Sequence, residues 1–236
     1  MTAVSPATIS MFLENKHYPE ADAYVYALAE AMAPEYRAIV DSGLTLQIDC
    51  PDLGCGHVLY PDAPLDDLKR NLSMHIDALN GALGDLPTDR MRMHVCWGNY
   101  DGPHHRDVEL AEIVEIILRA KPDGLVIEGA NPRHEHEWQV FERVPLPEGK
   151  VLVPGVIDST NNYIEHPELV AQRLVRYAGV VGRENVIAGT DCGFGTLVGM
   201  RATAPSVAWA KLETMARGAE LATRELWSGV AQKSAV

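Results

Sequence analysis

The chain has 236 residues, 47% of them hydrophobic, which is enough for one sizeable core rather than two independent ones. Twenty basic against 33 acidic residues leave a formal charge of −13, which argues against a non-specific nucleic-acid or anionic-membrane surface and for small-molecule partners. Four cysteines at positions 50, 55, 96 and 192 make neither CxxC knuckles nor a secreted disulfide framework. No signal-like segment opens the chain and no apolar run nears the ~20 residues of a bilayer span, so a cytoplasmic location is expected.

The elements follow one another as alternating short apolar runs and longer amphipathic stretches. A strand fragment at 3–5 is followed by a helix at 20–40, a strand at 44–49 (LTLQID), a helix at 65–83 and a strand at 91–96 (MRMHVC). A helix at 108–120 and strands at 124–128 (GLVIE) and 151–156 (VLVPGV) come next, then a helix at 167–181, a strand at 186–190 (VIAGT) and a helix at 206–227. Such alternation marks parallel βα units, with Gly43, Pro87, Pro122, Gly149 and Gly182 punctuating the approaches to the strands. Periodicity alone fits both an open doubly wound sheet and a closed barrel. In the last helix Trp209, Leu212, Met215, Ala219, Ala222 and Leu226 recur at three and four spacing and predict a core-facing stripe.

The chemistry gathers at the C-terminal ends of the strands. His94 and Cys96 lie two apart in MRMHVC, so their side chains project to one face of a strand and can reach one ion. Glu128 ends the next strand and Cys192 follows the last one in GTDCGFG, which places all four at the edge where α/β barrels carry their sites. One imidazole, two thiolates and a carboxylate suit zinc rather than calcium or magnesium. Three negative ligands against a dication leave a net charge of about −1, a set that suits activation of a bound thiol better than activation of water.

Other polar residues have weaker claims. Asp158 and Asp191, at or just beyond strand ends, are placed to orient ligands or exchange protons, and a carboxylate behind His94 would fix its tautomer. Arg106 and Arg133 offer a bidentate fork to a carboxylate or sulfonate. His104, His105, His134 and His136 are expected on solvated loop faces, Trp97 in packing, and Cys50 and Cys55 as structural thiols.

The segments HVCWGN, VIEGAN and GTDCGFG resemble the zinc-binding motifs of the cobalamin-independent methionine synthase superfamily, more closely its short branch that includes epoxyalkane:coenzyme M transferases. The resemblance extends through QIDCPDL, NYDGPHHRDV, NPRHEHEW and PGVIDSTNNYIEHPELV. It implies a TIM (β/α)8 barrel, with zinc held by His94, Cys96, Glu128 and Cys192, that alkylates a small thiol such as homocysteine or coenzyme M with a methyl carrier or an epoxide as donor. Asp49 resembles the residue that binds the amino group of homocysteine. Two positions depart from the methionine synthases proper: Thr160 stands where they carry a histidine, and Cys50 where they carry a glutamate.

Five clear strands and a fragment fall short of the eight of a closed barrel. The expectation is therefore one partial catalytic domain over 1–236 that lacks the first strands of the family barrel. A non-catalytic zinc-binding fragment, dependent on a partner or on a missing N-terminal segment, is the alternative.

Overall fold

A computed structural model describes residues 1–56, 62–195, 198–199 and 203–228. Its main elements are β1 (Thr2–Val4), α1 (Pro6–Phe12), α2 (Ala21–Asp41), β2 (Leu46–Asp49), α3 (Leu65–Leu83), β3 (Met91–Val95) and α4 (Leu110–Ile117). They continue as β4 (Gly124–Ile127), β5 (Val151–Ile157), α5 (Pro167–Val181), β6 (Gly189–Thr190) and α6 (Pro205–Trp227). The six strands form one sheet in sequence order, β1-β2-β3-β4-β5-β6, and the sheet is an α/β arrangement without closure among the described residues. The β1–β2, β2–β3 and β5–β6 pairs are parallel. No helix of the described residues is long and apolar enough to cross a membrane.

The chain divides into two compact units. In the first, Leu46 and Ile48 are fully buried while Gln47 and Asp49 of the same strand are only partly so, the period-two pattern of a strand with one covered face. α1, α2 and α3 supply that cover through a cluster of small residues, Ala7, Val25, Ala29 and Ala78. A buried carboxylate ties this unit together. Asp52, just beyond β2, accepts hydrogen bonds from Ser5 Oγ (2.6 Å) and Thr8 Oγ1 (2.7 Å), and lies 3.1 Å from His75 Nδ1 on α3. Burial pushes its pKa up, but the bonds from His75, Ser5 and Thr8 outweigh that and hold it below its ordinary value.

In the second unit β5 is buried along almost its whole length, and Val156 and Ile157 pack with Val170, Ala171 and Leu174 of α5 and Ala222 of α6. Gly218 lets α6 approach α5, because a Cβ there would stand 2.4 Å from Val170 Cγ1. The stripe expected on α6 faces the core over most of its length: Ala222 is buried, Met215 and Ala219 pack against the same cluster, and Leu212 and Leu226 are half-buried. Trp209 is 73% exposed, and the buried positions are Lys211, Thr214, Gly218 and Ala222. Lys211 is fully buried and donates from Nζ to the Asp158 carbonyl (3.0 Å), Asn161 Oδ1 (3.1 Å) and the Glu165 carboxylate (3.1 Å). The loop beyond β5 thus satisfies a charge buried beside the apolar stripe.

Candidate metal centre

In the first unit β3 carries two of the sequence-predicted ligands. His94 and Cys96 are both 7% exposed. His94 is in register with Asp49 of β2, so the two side chains leave the same face of the sheet. The backbone is pinned there, since the Cys50 N–H donates to the His94 carbonyl at 2.8 Å. Gly54 closes over the strand end, where a Cβ would lie 2.3 Å from the Cys96 carbonyl oxygen. Trp97 is fully buried and its indole N–H donates to the Val108 carbonyl at 2.6 Å. It is therefore packing, as expected. Cys50 and Cys55 are buried, facing the carbonyls of Ile48 (3.7 Å) and Cys96 (3.9 Å). Burial pushes the Cys50 thiol well up, which keeps it neutral.

The second unit holds the other two. Glu128 is 3% and Cys192 6% exposed, and the Cys192 thiol donates to Glu128 Oε1 at 3.8 Å. Asp191 joins the loops that bear them. Its Oδ1 accepts the backbone N–H groups of Gly129 (2.8 Å) and Ala130 (2.9 Å), and its Oδ2 that of Asn131 (2.9 Å). The Asp191 N–H in turn donates to the Ile157 carbonyl at 2.9 Å, continuing the β5–β6 ladder. Gly155 makes the room, because a Cβ at that position would stand 2.0 Å from Asp191 Oδ1. Burial raises the Asp191 pKa to about 6 against the lowering effect of the Gly129 and Ala130 N–H groups.

A second layer of bonds fixes the Cys192 backbone. The Cys192 N–H donates to Ser159 Oγ (3.2 Å), Ser159 Oγ donates to Asn99 Oδ1 (2.8 Å), and Asn99 Nδ2 donates to the Gly193 carbonyl (2.8 Å). Asn131 Nδ2 donates to Glu128 Oε2. Asn99, Asn131 and Ser159 are functional-region residues that sequence reasoning missed. The available signal was the asparagine three residues beyond Cys96 and beyond Glu128, in HVCWGN and VIEGAN.

The remaining predicted residues are placed unevenly. Asp158 is buried and its Oδ1 accepts from the Thr160 N–H (2.7 Å) and hydroxyl (2.8 Å), so it caps its own loop. Asp49 accepts from Gln47 Nε2 at 3.0 Å. Arg133 is half-buried and its N–H donates to Asn131 Oδ1 at 2.9 Å. Arg106, His105 and His136 are exposed. His134 is not on a solvated face: it is 1% exposed, with Nδ1 2.7 Å from Glu137 Oε2. His104, also expected in solvent, is half-buried and pairs with Asp107 at 2.7 Å. His94 and Cys96 in the first unit and Cys192 in the second are all buried, and each offers one metal-ligating atom. An imidazole and two thiols are the donors that zinc prefers.

The chain is similar over most of its length to proteins of one kind. A methionine synthase of Thermococcus kodakarensis is 27% identical over 222 residues, 94% of this chain and 56% of that protein. One of Saccharolobus solfataricus is 24% identical over 229 residues, covering 96% and 59%. A B12-independent methionine synthase from Shewanella sp. W3-18-1, solved in complex with selenomethionine, superposes with a TM-score of 0.74 at 20% identity, covering 96% of this chain and 62% of that one. The chain thus spans less than two thirds of the length of these relatives. The family model for the cobalamin-independent synthase catalytic domain matches residues 19–220, and the chain belongs to that family.

Proposed function

We propose that the chain is a zinc-dependent transferase that alkylates a small thiol, with homocysteine as the thiol and a methyl group as the alkyl fragment. The observation that carries this reading is the donor set itself, His94 and Cys96 buried at the end of β3 and Cys192 buried beyond β6, in a chain of the cobalamin-independent synthase family. Glu128, beside Cys192, completes the proposed ligand set. When bound, zinc would lower the pKa of a coordinating thiol enough to hold its sulfur as thiolate near neutral pH.

The chain's own residues would do the rest. Cys96 and Cys192, as thiolates, keep the set electron-rich, so that a bound sulfur stays nucleophilic. Asp49, on the face shared with His94, would bind an amino group of the thiol substrate, and Arg133 a carboxylate or sulfonate. Asp158 would orient the substrate from the loop beyond β5. Alignment of sulfur with the electrophilic carbon is the main gain available to such a displacement.

Three finer statements belong to the same reading: a barrel of the methionine synthase type, membership of the epoxyalkane:coenzyme M transferase-like branch, and a cytoplasmic location. Coenzyme M is accordingly the second thiol to test. The second reading is a zinc-binding fragment that has no activity without a partner.

A thiol panel separates the two. Zinc-loaded chain is titrated with L-homocysteine, coenzyme M and 2-mercaptoethanol, and each is followed by calorimetry and by alkylated product with a methyl donor. The transferase reading expects one thiol to bind in preference and to be alkylated. Zinc uptake with no thiol preference and no product supports the fragment, and absence of zinc uptake contradicts both.

A further inference from the structure

Glu128 is held asymmetrically, and one residue is responsible. Asn131 has every polar group committed within the second unit. Its N–H donates to Asp191 Oδ2 (2.9 Å), its Oδ1 accepts the N–H groups of Arg133 (2.9 Å) and His134 (3.2 Å), and its Nδ2 donates to Glu128 Oε2. The Oδ1 bonds form a turn that fixes the side chain, and that in turn aims Nδ2. The two oxygens of Glu128 are thereby made unlike. Oε2 rests on a neutral amide donor, whereas Oε1 receives the Cys192 thiol at 3.8 Å.

We propose that Asn131 is a positioning residue that makes Glu128 a one-oxygen, exchangeable ligand. This rests on the zinc reading of the site. With Oε2 occupied, Glu128 offers a metal Oε1 alone. When a substrate thiolate takes that place, the withdrawn carboxylate keeps its bond to Asn131 and is not left buried and unpaired, a state that is costly for a charged group. The amide thus lowers the cost of exchange without touching substrate or metal. Asp191, by anchoring the Asn131 backbone beside the loop that carries Cys192, keeps donor and ligand in step.

The decisive variant is Asn131→Asp. It preserves the Oδ1 acceptor that builds the turn, removes the donor, and sets a second carboxylate against Glu128. Zinc-edge absorption during titration with L-homocysteine reads the replacement of an oxygen scatterer by sulfur. The expected result is zinc uptake near one per chain in both proteins, with the exchange midpoint of the variant moved to roughly tenfold or more homocysteine, the size of a lost hydrogen bond to a charged group. Should Asn131→Asp fail to fold, Asn131→Ser keeps a turn-forming oxygen, adds no charge and cannot extend an amide to Glu128; its midpoint is expected to move in the same direction. Wild type and a folded variant exchanging at the same concentration would overturn the role of Asn131 alone. Wild type that binds zinc but never exchanges oxygen for sulfur overturns the inference and leaves the metal site standing, and wild type that binds no zinc removes the reading beneath it.

Discussion

The Nζ of Lys211 lies 3.1 Å from both carboxylate oxygens of Glu165, with the lysine fully buried and the Glu165 side chain 8% exposed. Lys211 also donates to the carbonyl of Asp158, so a residue of α6 fixes the loop beyond β5 that carries Asp158, Ser159 and Thr160.

Removing the ammonium would leave the Glu165 carboxylate without its counter-ion, with the Asp158 N–H (3.0 Å) as its remaining partner. Lys211→Met is expected to destabilise the chain by about 3–5 kcal/mol, the usual result of breaking one side of a buried pair. Lys211→Met with Glu165→Gln should recover part of the loss, because the unpaired charge is then gone. Urea unfolding of the single and double variants measures both. Equal stability of Lys211→Met and wild type would contradict the assignment.

Asp52 gives the first unit an acid-sensitive joint. Its folded pKa lies below that of an unfolded aspartate, about 3.9. Its contribution to stability is therefore fully present above that value and lost as the pH falls through the folded pKa. Unfolding free energy should decline below about pH 4, and Asp52→Asn should flatten that part of the profile. At neutral pH the substitution is expected to cost about 1–3 kcal/mol, through donors left without their acceptor. Denaturation at a series of pH values tests the slope, and an unchanged acid limb would contradict it.

Gly155 is where β5 yields space to Asp191. A Cβ there would lie 2.0 Å from Oδ1, 2.7 Å from the Asp191 Cα and 2.8 Å from its nitrogen. Gly155→Ala must displace the Asp191 backbone or the β5 strand, and the cost is expected to be about 1–3 kcal/mol or more from overpacking. Because Asp191 holds the Glu128 loop, zinc retention in competition with a chelator should fall as well. Gly193→Ala is the control, since nothing lies within 4 Å of its Cβ position. A melting temperature and zinc retention equal to wild type in Gly155→Ala would count against Asp191 as the anchor of the Glu128 loop.

The fold was legible where periodicity speaks. The spans expected at 65–83 and 167–181 match α3 and α5, and the fragment near the start is a paired strand. Hydrophobic spacing reports covered faces, and these elements are covered by their neighbours. On α6 it found Met215, Ala219 and Ala222, which face the core, but it also counted Trp209, which is 73% exposed, and it could not show the buried Lys211 beside them. It also missed α1, a helix of one to two turns too short to show a period, which Ser5 caps by accepting the Thr8 N–H at 3.0 Å. At the candidate site, the sequence pattern placed His94, Cys96 and Cys192 at or just beyond strand ends, and all three are buried there. Asn99 and Asn131 repeat three residues beyond Cys96 and Glu128, but only their bonds in the fold give that spacing a role, and Ser159 carries no such signal. His134 was read as a loop histidine since its partner, Glu137, sits three residues on in a 3₁₀ turn, Glu135–Glu142, that polar composition disguises.

The most direct test of the zinc reading is the metal environment of the intact chain. Protein refolded with one equivalent of zinc, washed of excess and measured by zinc-edge X-ray absorption should show two sulfur scatterers near ~2.3 Å with nitrogen and oxygen completing about four ligands. Cys96→Ser and Cys192→Ser should each remove one sulfur and weaken retention. A spectrum without sulfur, or a metal content unchanged when both cysteines are replaced, would contradict the account.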